Sequence, residues 1–505
     1  MTKRDNANLY ALLSCRFEER RDTLAIETPG RPPLSYADLE RDSARFANRL
    51  VALGASPGDR VAVQVDKTPE ALCLYLGCVR AGLIYLPLNT GYPARELEYF
   101  FRDAEPRIIV CRPQDLDMIG GLAERCGVAH VATLGVAGDG SLMEGPNPGD
   151  EFDTIVSRKD DIAAILYTSG TTGKPKGAAL SHDNLGSNAV TLHETWGFCE
   201  SDVLLHALPL FHTHGLFVAC HCSLLNATPM LLLPKFDANQ VMELLPRASV
   251  FMGVPTFYTR LLANADFGRD QCANMRLFVS GSAPLLEQTH SEFFARTGHR
   301  ILERYGMTEC GMSTSNPLNG ERKAGTVGLP LAGVSLRIVD DAGNPVEPGE
   351  IGQIEFKGPN VFQGYWRMPE KTAEEFSEDG YFRSGDLGEL DEDGYVSIVG
   401  RDKDLIISGG YNVYPKEVEL CIDQLDGVSE SAVIGIPDAD FGERVIAVVV
   451  ADSNAPDEEE IIAALRPLLA SYKLPKQVSL VDALPRNAMG KVQKNILRDL
   501  FITNP

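Results

Sequence analysis

Over roughly the first two-thirds of the chain, two textures alternate. Short apolar and β-branched runs, VAVQV (Val61 to Val65), IYLPL, RIIVC, IAAILY, PMLLLP and RLFVSG (Arg276 to Gly281), are separated by longer amphipathic stretches such as PEALCLYLGCVRAG. Strand-sized runs punctuated by helix-sized ones predict βαβ units and largely parallel sheets. After about Gly325 the pattern becomes β-rich and turn-rich. In VSLRIVDDAGNPVEPGEIGQIEFKG, strand-like alternation is broken by the turn signals DDAG and GNP, which predicts a β-barrel-like or distorted antiparallel unit. A third texture follows GRDKD (Gly400 to Asp404): SAVIGIP, RVIAVVVAD, a helix-like EEEIIAALRPLLASY and the basic stretch PRNAMGKVQK predict a small α+β domain. The expected class is α/β, with a large N-terminal domain over residues 1–402 and a small C-terminal one over 403–505.

Composition narrows the functions open to such a chain. At 505 residues it is too long for one core, in keeping with several domains or subdomains. Its formal charge of −23 opposes nonspecific binding to nucleic acid or to an anionic membrane, so an anionic substrate needs a local basic pocket. The 11 cysteines are odd in number and scattered, which argues against a disulfide framework and for a reducing, cytoplasmic setting. No apolar run reaches the length of a membrane span, and MTKRDNANLYALL does not read as a targeting signal. One local cluster, FHTHGLFVACHCSLL, gathers His212, His214, Cys220, His221 and Cys222. Structural zinc sites pair their ligands at wider spacings, and adjacent side chains on a helix or strand diverge, so small buried cysteines are the simpler explanation.

Catalytic chemistry is signalled first by YTSGTTGKPKG, Tyr167 to Gly177. Its glycines free backbone N–H groups to curl toward an anion, its hydroxyls add donors and its lysines add charge, a composition suited to polyphosphate. It is not a Walker loop: Gly170 and Gly173 are too close together, and Pro175 follows Lys174.

Four more segments follow in order: ERYGMTE (Glu303 to Glu309), FRSGD (Phe382 to Asp386), GRDKDLIISGGYNVYPKEVE (Gly400 to Glu419) and PRNAMGKVQK (Pro485 to Lys494). Together with the glycine-rich loop they closely resemble, over nearly the whole chain, the ANL superfamily of adenylate-forming enzymes: acyl-CoA synthetases, adenylation domains and luciferases. The resemblance implies that a carboxylate is joined to the α-phosphate of ATP, releasing pyrophosphate, and that a thiol then displaces AMP. It implies that Thr168, Ser169, Gly170, Thr171, Thr172, Gly173 and Lys176 belong to the loop over the β- and γ-phosphates. Tyr305 is expected to stack on adenine, Thr308 to contact the α-phosphate, and Glu309 with Thr168 to hold Mg²⁺. Asp386 is expected to accept the ribose hydroxyls with Arg401 near the same sugar, an exposed ion pair being the alternative. Lys491 matches the catalytic lysine, Lys403 the hinge of a mobile C-terminal lid, and Gly410 the glycine beside the pantetheine arm of coenzyme A.

The residue before YGMTE selects among acids. Many aryl and fatty acyl relatives carry glycine or another neutral residue there, whereas this chain has Arg304. A guanidinium is poorly matched to a hydrocarbon tail and well matched to a second carboxylate. His212, in FHTHG, and Ser282, in SGSAPL, are expected to add donors, with His214 a further candidate. LPLFHTHGLF, SGSAPL, LERYGMTE and the C-terminal KLPKQVSLVDALPRNAMGKVQK look most like the malonyl-CoA synthetases of the superfamily, implying malonate, ATP and coenzyme A as substrates, with methylmalonate as a further acid. The alternative for Arg304 is an outward turn into a weak pair with Glu303. The competing functions are a medium-chain or aryl acyl-CoA synthetase, an adenylation domain loading a carrier protein, and a nucleotide-binding regulator.

Overall fold

The computed structural model describes residues 6–168, 175–438, 441–451, 456–486 and 491–503. Contacts divide the chain into two compact units, Met1–Ser335 with Phe356–Phe382, and Leu336–Glu355 with Arg383–Pro505.

The first unit holds two sheets. In one the order is Leu329–Pro330, Gly311–Ser315, Leu302–Met307, Leu277–Ser280, Val250–Gly253, Leu204–His206, Met230–Leu232, Leu24–Glu27 and Leu34–Ser35. Its central strands run parallel, and antiparallel pairs close both edges. The other runs Gly364–Tyr365, Lys176–Ser181, Ile162–Thr168, Ile84–Pro87, Arg60–Gln64, Ile108–Cys111, His130–Thr133. Strands expected from VAVQV, IYLPL, RIIVC and PMLLLP lie within a residue or two of their predicted places. The helix expected from PEALCLYLGCVRAG spans Pro69–Arg80. Thr68 caps it by accepting a hydrogen bond from the Ala71 N–H, and Pro69 sits where its missing N–H costs nothing.

Beneath the first sheet lies an aromatic core. Phe278 and Phe293 meet edge to face at 4.9 Å between ring centroids, and Tyr258 joins Phe293 at 5.4 Å. Each such buried ring contributes roughly 1.5–3 kcal/mol. This packing fixes the strands Leu277–Ser280 and Leu302–Met307, whose C-terminal ends carry candidate site residues.

In the second unit the β-rich stretch forms a four-stranded sheet in the order Ser335–Val339, Gly352–Lys357, Phe382–Leu390, Val396–Arg401. A further sheet runs Tyr411–Val413, Ile406–Ser408, Gly442–Ala451, Val428–Asp438, with Gln477–Val481 pairing in parallel on Gly442–Ala451. The helices Pro415–Ile422 and Glu458–Leu465 cover it through Val418, Ile422, Ile461 and Leu465. Among the described residues no helix is long and apolar enough to cross a membrane.

Candidate active site

The glycine-rich stretch lies between two antiparallel strands, Ile162–Thr168 and Lys176–Ser181, with Thr168 facing Lys176 across the pair. Ser169, Gly170, Thr171, Thr172 and Gly173 lie outside the described residues. At the end of the first strand the Thr168 hydroxyl donates to Glu309 Oε1 at 3.1 Å, and the Tyr365 hydroxyl donates to the same oxygen at 3.1 Å. Glu309 is buried, and among the described residues no lysine or arginine is paired with it. A buried carboxylate met only by hydroxyls is a donor set of hard oxygens that fits a divalent cation such as Mg²⁺. Lys176 is itself buried: its amine meets Glu375 Oε1 at 3.1 Å and lies 4.0 Å from the centre of the Tyr365 ring. The structure thus uses Lys176 to hold Tyr365 in place beneath Glu309. Thr308 lines a recess with Asn184, Asn188, Thr213, Phe217 and Asn360. Tyr305, half-buried, stacks on Phe356 at 5.8 Å with 29° between ring planes.

Arg304 points inward. It is 2 % exposed, and its Nε and Nη2 have no hydrogen-bond partner among the described residues. Burial lowers the guanidinium to about 9, with Tyr258 and Glu303 opposing the shift, so it stays charged at neutral pH. Glu303 does not form with it the outward pair of the alternative reading. Neighbours on a strand face opposite ways, and the Glu303 carboxylate accepts the Leu285 N–H at 3.0 Å instead. Gly281 makes the room: a Cβ there would lie 2.5 Å from Arg304 Cζ and Nη1, closer than real side chains approach. Ser282 follows with φ +71°, a left-handed conformation strained for a residue with a Cβ, and its hydroxyl lies 3.4 Å from His214 Nδ1.

His214 opens a π-helix, His214–Cys220, that the sequence did not announce. A widened helical turn of this kind is frequent at functional sites. Its imidazole is buried with Nε2 unpartnered among the described residues. Burial, reinforced by the charge of Arg304, pushes His214 well below its ordinary value, so it is neutral. His212, half-buried, accepts the His214 N–H at 3.3 Å through Nδ1. The π-helix is held from below by His206, whose Nε2 lies 2.8 Å from the Gly215 carbonyl. The other members of the His/Cys cluster serve packing: Cys220 and Cys222 are buried, and His221 Nε2 lies 2.7 Å from the Tyr75 hydroxyl.

Sequence reasoning missed Lys67. Its amine donates to the His206 carbonyl at 2.9 Å, linking the loop after Arg60–Gln64 to the strand Leu204–His206 of the other sheet. Among the described residues no carboxylate is paired with it, and burial pulls it down to about 7. At this group the folded protein therefore binds fewer protons than the unfolded chain between about pH 7 and pH 10, and its contribution to stability rises with pH across that window. Lys67→Met accordingly raises the thermal midpoint at about pH 6.5, and the gain shrinks toward zero by about pH 10. Melting curves across this range check it; a gain independent of pH contradicts the buried-cation explanation.

In the second unit Asp386 and Arg401 face each other across antiparallel strands, with Arg401 Nε 2.6 Å from Asp386 Oδ1. The ion pair of the alternative reading is thus formed, with Asp386 buried and the Arg401 side chain 36 % exposed. Lys403 sits in the short turn Asp402–Asp404, and Gly410, with φ +81°, lies between the strands Ile406–Ser408 and Tyr411–Val413. Lys491 is exposed beside Val492, which bridges to Arg486. The first unit thus brings together Thr168, Glu309 and the Tyr365 contact, and separately Arg304, His214 and Ser282.

This fold and these motif positions define an AMP-binding enzyme. The chain matches the AMP-binding enzyme family over residues 16–366 and the AMP-binding enzyme C-terminal domain over residues 417–491, and it belongs to that family. It is 35% identical to a malonate–CoA ligase of Arabidopsis thaliana, over 94% of this chain and 86% of that one. It is 36% identical to a feruloyl-CoA synthase of an Amycolatopsis species, over 94% and 95%. Among solved structures, the ATP-bound MatB from Rhodopseudomonas palustris superimposes with a TM-score of 0.96 at 55% identity, over 98% of this chain and 99% of that one.

Proposed function

We propose that the chain is an AMP-forming acid–thiol ligase that joins malonate to coenzyme A, converting ATP to AMP and pyrophosphate through a malonyl-adenylate. Overall identity to the curated relatives does not choose the acid, because a malonate ligase and a feruloyl synthase stand at 35% and 36%. The observation that carries the choice is Arg304: a buried cation with two nitrogens unpartnered among the described residues, beside a neutral histidine and a hydroxyl. Such a group is costly to leave beside a hydrocarbon and accepts a carboxylate in two parallel hydrogen bonds. Methylmalonate is a second acid, since one extra methyl in a pocket is weakly discriminated.

In this reading Arg304 grips the far carboxylate, with His212 and Ser282 adding donors. The near carboxylate attacks the α-phosphate, contacted by Thr308, while Lys491 offsets the charge that develops between them. Magnesium, held by Glu309 and Thr168, supplies charge neutralisation at the phosphates. The loop from Thr168 to Lys176 closes over the β- and γ-phosphates, Tyr305 stacks on adenine, and Asp386, fixed by Arg401, accepts the ribose hydroxyls. The C-terminal domain, residues 403–505, then turns about Lys403 and presents Gly410 to the pantetheine arm for thioester formation.

A pyrophosphate-release assay over acetate, malonate, methylmalonate, succinate, octanoate and coumarate, with and without coenzyme A, tests this directly. Malonate is expected to lead in kcat/KM, with product formed on free coenzyme A. Faster turnover of octanoate or coumarate points to a hydrocarbon acid, and adenylate formation without transfer to free coenzyme A points to carrier loading.

A further inference from the structure

The chain flanking Lys491 is tied at both ends to one strand, Val428–Asp438. Upstream, Arg486 pairs with Glu430 on that strand and bridges to Val492, and the Gln493 N–H donates to the Pro485 carbonyl at 2.8 Å. Downstream, Lys494 opens the helix Lys494–Thr503. A lysine is electrostatically misplaced there, since a helix N-terminus carries partial positive charge. What it meets explains it: Lys494 Nζ lies 2.5 Å from Glu419 Oε1, and that oxygen also accepts the Val433 N–H at 2.9 Å. Glu419 is 6 % exposed and projects from Pro415–Ile422, the helix that directly follows the Gly410 turn and the strand Tyr411–Val413.

We infer that Glu419 is a positioning residue for Lys491, holding Lys494 so that the catalytic lysine is presented in one orientation for adenylation. The inference rests on the assignment of Lys491 given above. A buried carboxylate is costly unless its partners are well placed, and here both partners are in place. Lys491 stands one residue from the Arg486–Val492 bridge and three from the Lys494 anchor, so little freedom remains for its backbone. The same helix joins this anchor to the Gly410 turn, and the two segments used in successive half-reactions are thereby held as one body.

The test separates the half-reactions in the full-length enzyme. Glu419→Gln keeps an acceptor for the Val433 N–H but removes the charge that holds Lys494, and Lys494→Met removes the other side. Each is expected to lower kcat for malonate-dependent pyrophosphate release by roughly tenfold or more, with KM for malonate and ATP changed by less than about twofold. Thioester formation from supplied malonyl-adenylate should stay within about twofold of the parent, and Lys494→Arg should recover most of the adenylation rate. Equal loss in both half-reactions, or adenylation unchanged in both variants, overturns the inference. Lys491→Ala run alongside distinguishes the levels. If that variant still adenylates, the assignment of Lys491 fails; if it is inactive while Glu419→Gln is normal, only the positioning role fails.

Discussion

Exchanging Arg304 for methionine lowers kcat/KM for malonate by roughly 100-fold and leaves turnover of butyrate nearly unchanged. A charge-assisted hydrogen bond contributes about 1.5–3 kcal/mol, and a guanidinium holding a carboxylate through two of them sits at the upper end of that range. Methionine keeps the apolar stem's volume, so Gly281 still faces a side chain of similar length without its charged head. A lysine at 304 should recover little, because a single ammonium cannot reproduce the planar fork. The variant should also melt higher than the parent without substrate, since a buried cation with two unpartnered nitrogens has been removed. Steady-state pyrophosphate release with both acids decides the matter. Equal losses for malonate and butyrate, or none for either, break the link between Arg304 and the second carboxylate.

Replacing Lys491 by alanine abolishes most adenylate formation, by roughly 100- to 1,000-fold, and spares thioester formation from supplied malonyl-adenylate. That range is what removal of one preorganised electrostatic contact typically costs where charge develops in a transition state. The asymmetry is the informative part. In the proposed cycle this lysine serves the first half-reaction and is withdrawn for the second, so its loss should leave the second untouched. Coupled detection of pyrophosphate for one half and of the thioester for the other measures the two separately. Equal damage to both would assign Lys491 to general domain integrity instead.

Local signals carried much of this molecule in its sequence. Apolar runs marked strands and amphipathic stretches marked helices because those choices are made within a few positions of the chain, as VAVQV and PEALCLYLGCVRAG illustrate at Arg60–Gln64 and Pro69–Arg80. The motif residues were visible for a related reason, each chemistry needing a distinctive residue type in a short setting. Arg304 was legible as a departure, while its inward direction became clear only with the strand parity that turns Glu303 toward Leu285. Contacts between distant positions left no local mark. Lys67 reaches His206, Lys176 reaches Glu375, and Lys494 reaches Glu419, each across a separation that no periodicity records. The π-helix at His214 was hidden because its apolar run, GLFVAC, suits several backbones, and its contact with His206 at the Gly215 carbonyl is made by a residue outside that run.

The alternation along Leu302–Met307 bears on how such a pocket changes hands between acids. Positions 303 and 304 are adjacent in the chain yet face separate compartments, one stapling a loop and the other buried with two nitrogens unpartnered among the described residues. If Arg304 holds the second carboxylate as proposed, a point change at the even position revises the choice of acid while the scaffold at the odd one stays intact. An insertion or deletion upstream in the same strand would exchange the two compartments, setting an acid where the base had been and freeing the loop together with it.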